Sequence, residues 1–187
     1  KFLSLFAFYW AIFSVIDLFI KSIRQQIPDA LMHTGSQDQR GIVKRIKMKF
    51  DASQHRCTIV IDNNLPAGLA INAASVIGIS FGRTVENLVG PDMQSVDGVN
   101  YPGVIYSPLP VLLASGEYLH TLQNAAQQDE EIHVMPFSAL AQSCRSYEEY
   151  GERIATVTSP HIELVAIGLI GPRKKITRLT GNLALYK

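Results

Sequence analysis

The sequence predicts an α/β protein, a three-layer sandwich around a four-stranded sheet that is mixed or mostly parallel. Three observations carry that expectation. Cys57-Thr58-Ile59-Val60-Ile61-Asp62 is a nearly continuous β-branched run, the mark of a strand covered on both faces. After it, strand-like and helix-like stretches alternate with short links. The chain then closes with a strand from Ala166 into Gly171-Pro172, followed by a short helix that Gly181 stops.

Taken in order, the first strand is expected to be central. Asn63-Asn64 is placed to cap a helix with Pro66 in its first turn, in which Leu65, Leu69, Ala73, Val76 and Ile77 recur at helical spacing down to Gly82. The small residues Ala67, Gly68, Ala70, Ala73 and Ala74 suit close approach to a sheet. Gly90-Pro91-Asp92 and Asp97-Gly98 mark turns, so residues 82–101 form a long connection with a short hairpin, the kind of segment in which function often resides. Val104-Ile105-Tyr106 reads as the second strand, halted by Pro108 and Pro110. A helix from Ser115 to Gln128 presents Tyr118, Leu119, Leu122 and Ala126 to one side, and residues 131–135 form the third strand. Ser146-Tyr147-Glu148-Glu149 matches a capping box ahead of Tyr150 and Ile154, and residues 163–171 form the fourth strand.

A single α/β domain is expected over residues 48–187, because residues 1–47 read as a leader and linker. Residues 2–20 are apolar but for serines and Asp17, close to the roughly 20 residues that span a bilayer. Residues 25–47 are polar and punctuated by Pro28, Gly35 and Gly41. Three readings of the leader stand open. It is extraneous or truncated sequence ahead of an initiator at Met48, or a membrane or interfacial anchor, or an additional helix. A secretory signal peptide is disfavoured, since a single Lys1 precedes the apolar run and no small-x-small cleavage site follows it. As an anchor it would be followed by Lys21, Arg24 and the cluster Lys44, Arg45, Lys47 and Lys49, which keeps the domain on the cytoplasmic side. A cytoplasmic location is therefore expected.

Composition excludes several classes. Lys plus Arg number 17 against 16 Asp plus Glu, so bulk charge does not mark a nucleic-acid binder. Cys57 and Cys144 have no CxxC spacing, and the five histidines lack HExxH or HxE spacing, so neither a metal centre nor a cofactor is expected.

The ends of the domain carry a family likeness. Gly171-Pro172, Ile176 and the terminal Thr180-Gly181-Asn182-Leu183-Ala184-Leu185 resemble the C-terminus of type II peptidyl-tRNA hydrolases, and Asn64-Leu65, Gly68-Leu69 and Ile71-Asn72-Ala73-Ala74 resemble their first helix. A nearer match joins Ile61-Asp62, Leu65-Pro66, Gly68-Leu69-Ala70 and Asn72-Ala73-Ala74 to Gly90-Pro91-Asp92, Ser146-Tyr147-Glu148-Glu149-Tyr150 and the Gly-Pro and Leu-Thr-Gly elements of the end. On these motifs residues 57–187 are identified as a member of the family called domain of unknown function 2000. The resemblance implies a peptidyl-tRNA hydrolase II-like fold.

It also exposes departures. Those hydrolases depend on a lysine after the helix-opening glycine, and Leu69 stands there. Their Asp-Ala-Gly-x-Thr-Gln segment is replaced by Val157-Thr158-Ser159-Pro160-His161. Thr180 matches the hydrolase threonine, but one hydroxyl with neither base nor cation does not make an ester hydrolase.

Candidate ligand-binding residues follow, with no catalytic residue assigned. Asp62, Asn63 and Asn64 fall at a strand's carboxyl end and a helix's start, where open α/β sheets gather ligands; the plainer alternative is a helix cap with local pairing. Asn72 points at the same crevice or is a satisfied amide. Thr180 enters through the resemblance. Arg173 and Lys174, with Lys175, crowd cations at the electrostatically wrong end of a helix and either hold phosphate or RNA or form a solvated turn. Three functions compete: a binder of a small anionic or nucleotide-like ligand, a hydrolase with relocated groups, and an interaction module that includes homo-oligomers. Whether the protein is an enzyme stays open, and a membrane partner enters only with the leader.

Overall fold

A computed structural model describes residues 48–187; the three readings of the leader and linker lie outside the described residues. The elements run β1 (His55–Asp62), α1 (Ala67–Thr84), β2 (Met93–Gln94), β3 (Asn100–Tyr101), β4 (Val111–Ala114), α2 (Gly116–Gln127) and β5 (His133–Ser138). Then follow α3 (Ala139–Ser143), α4 (Tyr147–Ile154), a 3-10 turn over Ser159–His161, β6 (Leu164–Pro172), α5 (Arg173–Thr180) and β7 (Ala184–Leu185).

The main sheet has five strands in the order β5-β6-β1-β4-β7, and β2 and β3 form a separate hairpin. β1 is central, as its sequence demands. It runs parallel to β4 and antiparallel to β6, while β5–β6 and β4–β7 are also antiparallel, so the sheet is mixed.

The period-two pleat divides β1 and β6 between two apolar layers. Cys57, Ile59, Ile61, Ala166 and Ile170 pack with Ala70, Ala73, Ile77 and Phe81 of α1. Val60, Ile167 and Leu169 pack on the other face with Leu119, Leu122 and Ala126 of α2 and Ile176 of α5. Burial of each such branched or aromatic side chain contributes about 1.5–3 kcal/mol before entropy is subtracted. With both faces covered, no polar alternation is left in the strand.

Three expectations need correction. The strand beside β1 is Val111–Ala114, beyond the prolines, and not Val104–Tyr106. Ile105 instead bridges Val89, with Tyr106 N–H donating to the Leu88 carbonyl at 3.0 Å. Pro110 offers its carbonyl to Ile59 N–H at 3.0 Å and Thr58 Oγ1 at 3.1 Å, a role that needs no N–H of its own. Second, the sheet has five strands and not four, because β7 adds Leu185 and Ala184 against Leu112 and Leu113. Third, Asn63-Asn64 does not cap α1: the N-cap is Pro66, whose φ of −55° and ψ of 141° already suit that position, with no side-chain cap.

The other boundaries agree closely. Ser115 accepts from Tyr118 N–H at 3.3 Å at the start of α2. Ser146 accepts from Glu149 N–H at 3.1 Å, and Glu149 reaches back to Arg145 N–H at 2.9 Å, one residue further than a standard capping box. The predicted hairpin is present, turning at Gly98, whose φ of 84° is open to a residue without Cβ.

Candidate functional site

The strand directions place the carboxyl ends of β1, β4 and β5 along one edge of the sheet, where α1, α2 and α3 begin. Asp62 ends β1 there. Its Oδ1 accepts from Asn64 N–H at 3.0 Å, its carbonyl accepts from Leu65 N–H at 3.0 Å, and its Oδ2 lies against the first residue of α2: a Cβ on Gly116 would stand 3.0 Å from it. Asn63 and Asn64 are exposed. A second polar knot joins α3 to α1, with Gln142 Nε2 donating to the Leu69 carbonyl at 2.8 Å and to Asn72 Oδ1 at 3.1 Å. Asn72 is thus a tether between helices.

Beside this edge lies an apolar cleft of about 300 Å³ lined by Ile61 of β1, Ala70, Ile71 and Ala74 of α1, Val111 of β4, Leu185 of β7, and Tyr186. Its origin is geometric. α1 packs on β6, β1 and β5, and among the described residues no helix covers β4 and β7 on the α1 face. Ala70 and Ala74, one turn apart, present methyl groups where larger side chains would close the gap. The alanine-rich start of α1 was readable as close packing, and Ala73 does meet the sheet fully buried. The free wall was not readable, because it depends on β7, a two-residue strand with no sequence signature.

The remaining candidates do not join this edge. Register sets His55 opposite Pro172, so Arg173 and Lys174 stand at the amino end of β1 while Asp62 stands at its carboxyl end, roughly 23 Å away at about 3.3 Å per residue. Arg173 closes onto the turn before β1: its Nη2 donates to the Ala52 carbonyl at 2.6 Å and its N–H to the Gln54 carbonyl at 2.8 Å. Lys174 is exposed. Lys175 pairs with Asp129, at 2.7 Å, and with Glu131. Its donated hydrogen bond holds Asp129 below the ordinary carboxylate value, and the two carboxylates raise Lys175. Two of the three cations therefore fasten α5 to neighbouring turns.

Thr180 is buried, its hydroxyl donating to the Ile176 carbonyl at 2.8 Å within α5. It lies one turn from Ile176, which packs on the face of the sheet opposite α1. Leu69 is half exposed. Cys57 is wholly buried, which pushes its thiol up to about 11, and Cys144 is half-buried. Among the described residues no cluster of three His, Cys, Asp or Glu side chains is arranged for a metal, and no helix is long and apolar enough to cross a membrane.

Comparison with known proteins bears on this scaffold. The family described as protein of unknown function, DUF2000, matches residues 55–187. The chain belongs to the DUF2000 family. The match takes in every strand of the main sheet and both walls of the cleft, so the cleft lies wholly within the DUF2000 region. A solved protein of unknown function from Agrobacterium tumefaciens strain C58 has a similar fold, with a TM-score of 0.60 and 14% identity over 72% of this chain and 98% of that one. At that identity the likeness is one of fold. No curated protein sequence matches the chain.

Proposed function

We propose that this DUF2000 domain is a ligand-binding module on a peptidyl-tRNA hydrolase II-like scaffold, and that it does not hydrolyse esters. The cleft between α1 and the β4–β7 edge carries the reading. Its volume of about 300 Å³ reaches the lower end of small-molecule sites, and it opens between α1 and the β4–β7 side of the sheet, walled by Ile61 near the carboxyl end of β1 and by Val111, the first residue of β4. The first two turns of α1, residues 67–74, contain no charged side chain, so the position of the hydrolase lysine has no cationic substitute in those turns. Thr180 spends its hydroxyl on its own helix.

The anionic ligand expected from Asp62, Asn63 and Asn64 gains little support. Asp62 brings a negative charge of its own, and the cations Arg173 and Lys174 lie at the far end of β1. With Arg173 and Lys175 engaged in turns, the same arrangement gives RNA little to hold.

A thermal-shift screen on the full chain tests the reading, run alongside Ala74→Trp, which fills the cleft with a bulky ring. Compounds that raise the wild-type midpoint and leave Ala74→Trp unmoved support it. Equal shifts in both proteins, or release of peptide from a peptidyl-tRNA above the buffer rate, overturn it.

A further inference from the structure

The cleft is electrically neutral along its walls. Its lining is Ile61, Ala70, Ile71, Ala74, Val111, Leu185 and Tyr186, in which the Tyr186 phenol is the one polar side-chain group. The helix wall extends that neutrality, since residues 67–82 include no Asp, Glu, Lys or Arg before Arg83. Asp62 follows Ile61 in sequence, but the pleat turns it to the other face, where it meets Gly116. Lys187, next to Tyr186, is exposed. A charge carried into these walls would leave water and find no counter-ion among the lining residues.

Size narrows the choice further. An apolar protein cavity of about 150 Å³ accepts a single benzene-sized ring, so about 300 Å³ has room for roughly two fused rings. The mouth is formed by side chains that gain from being covered: Ile71 is 65% exposed and Leu185 is 53% exposed. Tyr186 offers a ring against which a flat group stacks.

We infer that the cleft receives a neutral, compact apolar group of about two fused rings, an inference that rests on the binding reading above and names its ligand class. Three probes share one ring system and differ in charge: 3-methylindole, indole-3-acetate and tryptamine. Each is titrated to millimolar concentration into the isotope-labelled full chain while backbone amide shifts are followed by NMR. The same titrations are run on Ala74→Trp, and on Ile79→Trp, which alters an exposed position of α1 outside the lining.

The expected result is saturable perturbation of amides around Ile61, Ile71, Ala74, Val111 and Leu185 by 3-methylindole. Its affinity should exceed that of either charged probe at least tenfold, vanish in Ala74→Trp and survive in Ile79→Trp. If a charged probe binds the same amides as tightly, the neutral-ligand inference fails and the binding site stands. If no probe perturbs those amides, or if Ala74→Trp responds as wild type does, the site itself fails with it.

Discussion

Gly168 of β6 lies directly beneath Phe81 of α1, so close that a Cβ on the glycine would overlap Phe81 Cζ and stand 2.5 Å from Ile77 Cγ2. Both aromatic and aliphatic partners are fully buried, so neither can swing aside into solvent. Gly168→Ala is therefore expected to destabilise the domain by about 1–3 kcal/mol, the range for an overpacked core. Urea unfolding at constant m-value measures it. A variant as stable as wild type would show that α1 can lift from β6 without penalty.

Lys175 links α5 to Asp129 and Glu131, and the pH dependence of that link has a definite sign. Asp129 sits below its ordinary 3.8, so its contribution is present above that value and is lost as pH falls through the lowered folded-state pKa. Lys175 sits above its ordinary 10.5, so its contribution is present below that value and is lost as pH rises through the raised one. The difference in Tm between wild type and Lys175→Met should be constant from about pH 5 to 9 and shrink toward both extremes. A constant difference at pH 2.5 would remove the pairing as its cause.

Cys57 and Cys144 should separate by reactivity. Burial pushes the Cys57 thiol up to about 11 and leaves it no accessible surface, whereas Cys144 is half-buried. At pH 8 a thiol reagent is expected to modify Cys144 in the native protein and Cys57 only after unfolding. Peptide mass spectrometry after timed quenching reads the order directly.

Ser146 caps α4, a short helix with no buried residue. Ser146→Ala should cost about 1 kcal/mol, felt locally because α4 contributes little to the core. Hydrogen exchange of the amides of residues 147–150 should accelerate roughly fivefold, while amides of β1 and β6 keep their rates. A fall in protection across the sheet would instead make the cap part of the global fold.

The local chemistry of several elements was plain in the chain. Ser115 and Ser146 accept from the amides of Tyr118 and Glu149 because a hydroxyl three residues ahead of a free N–H finds it without help from the rest of the fold. The Asp97-Gly98 turn is likewise decided by its own backbone. Val104–Tyr106 misled because β-branched residues favour any extended pairing, and their partner proved to be the Leu88–Gly90 segment. That Asp62, Asn63 and Asn64 fall at the carboxyl end of β1, ahead of α1, was visible from strand and helix order. That Arg173, Lys174 and Thr180 stand elsewhere was not, since their positions follow from β6 running antiparallel to β1.

By itself the sequence determined the central two-faced strand, the alternation of helix and strand and the Ser146 cap, which follow from short-range periodicity and backbone preference, while the family kinship came from resemblance in dispersed motifs. Tertiary structure alone decided that β7 closes onto β4, that α1 stops short of covering them, and that a neutral cleft opens between. The physical reason is that a gap belongs to no single segment. It is what remains when distant side chains such as Ala70, Val111 and Leu185 are brought to face one another and none is large enough to fill the space.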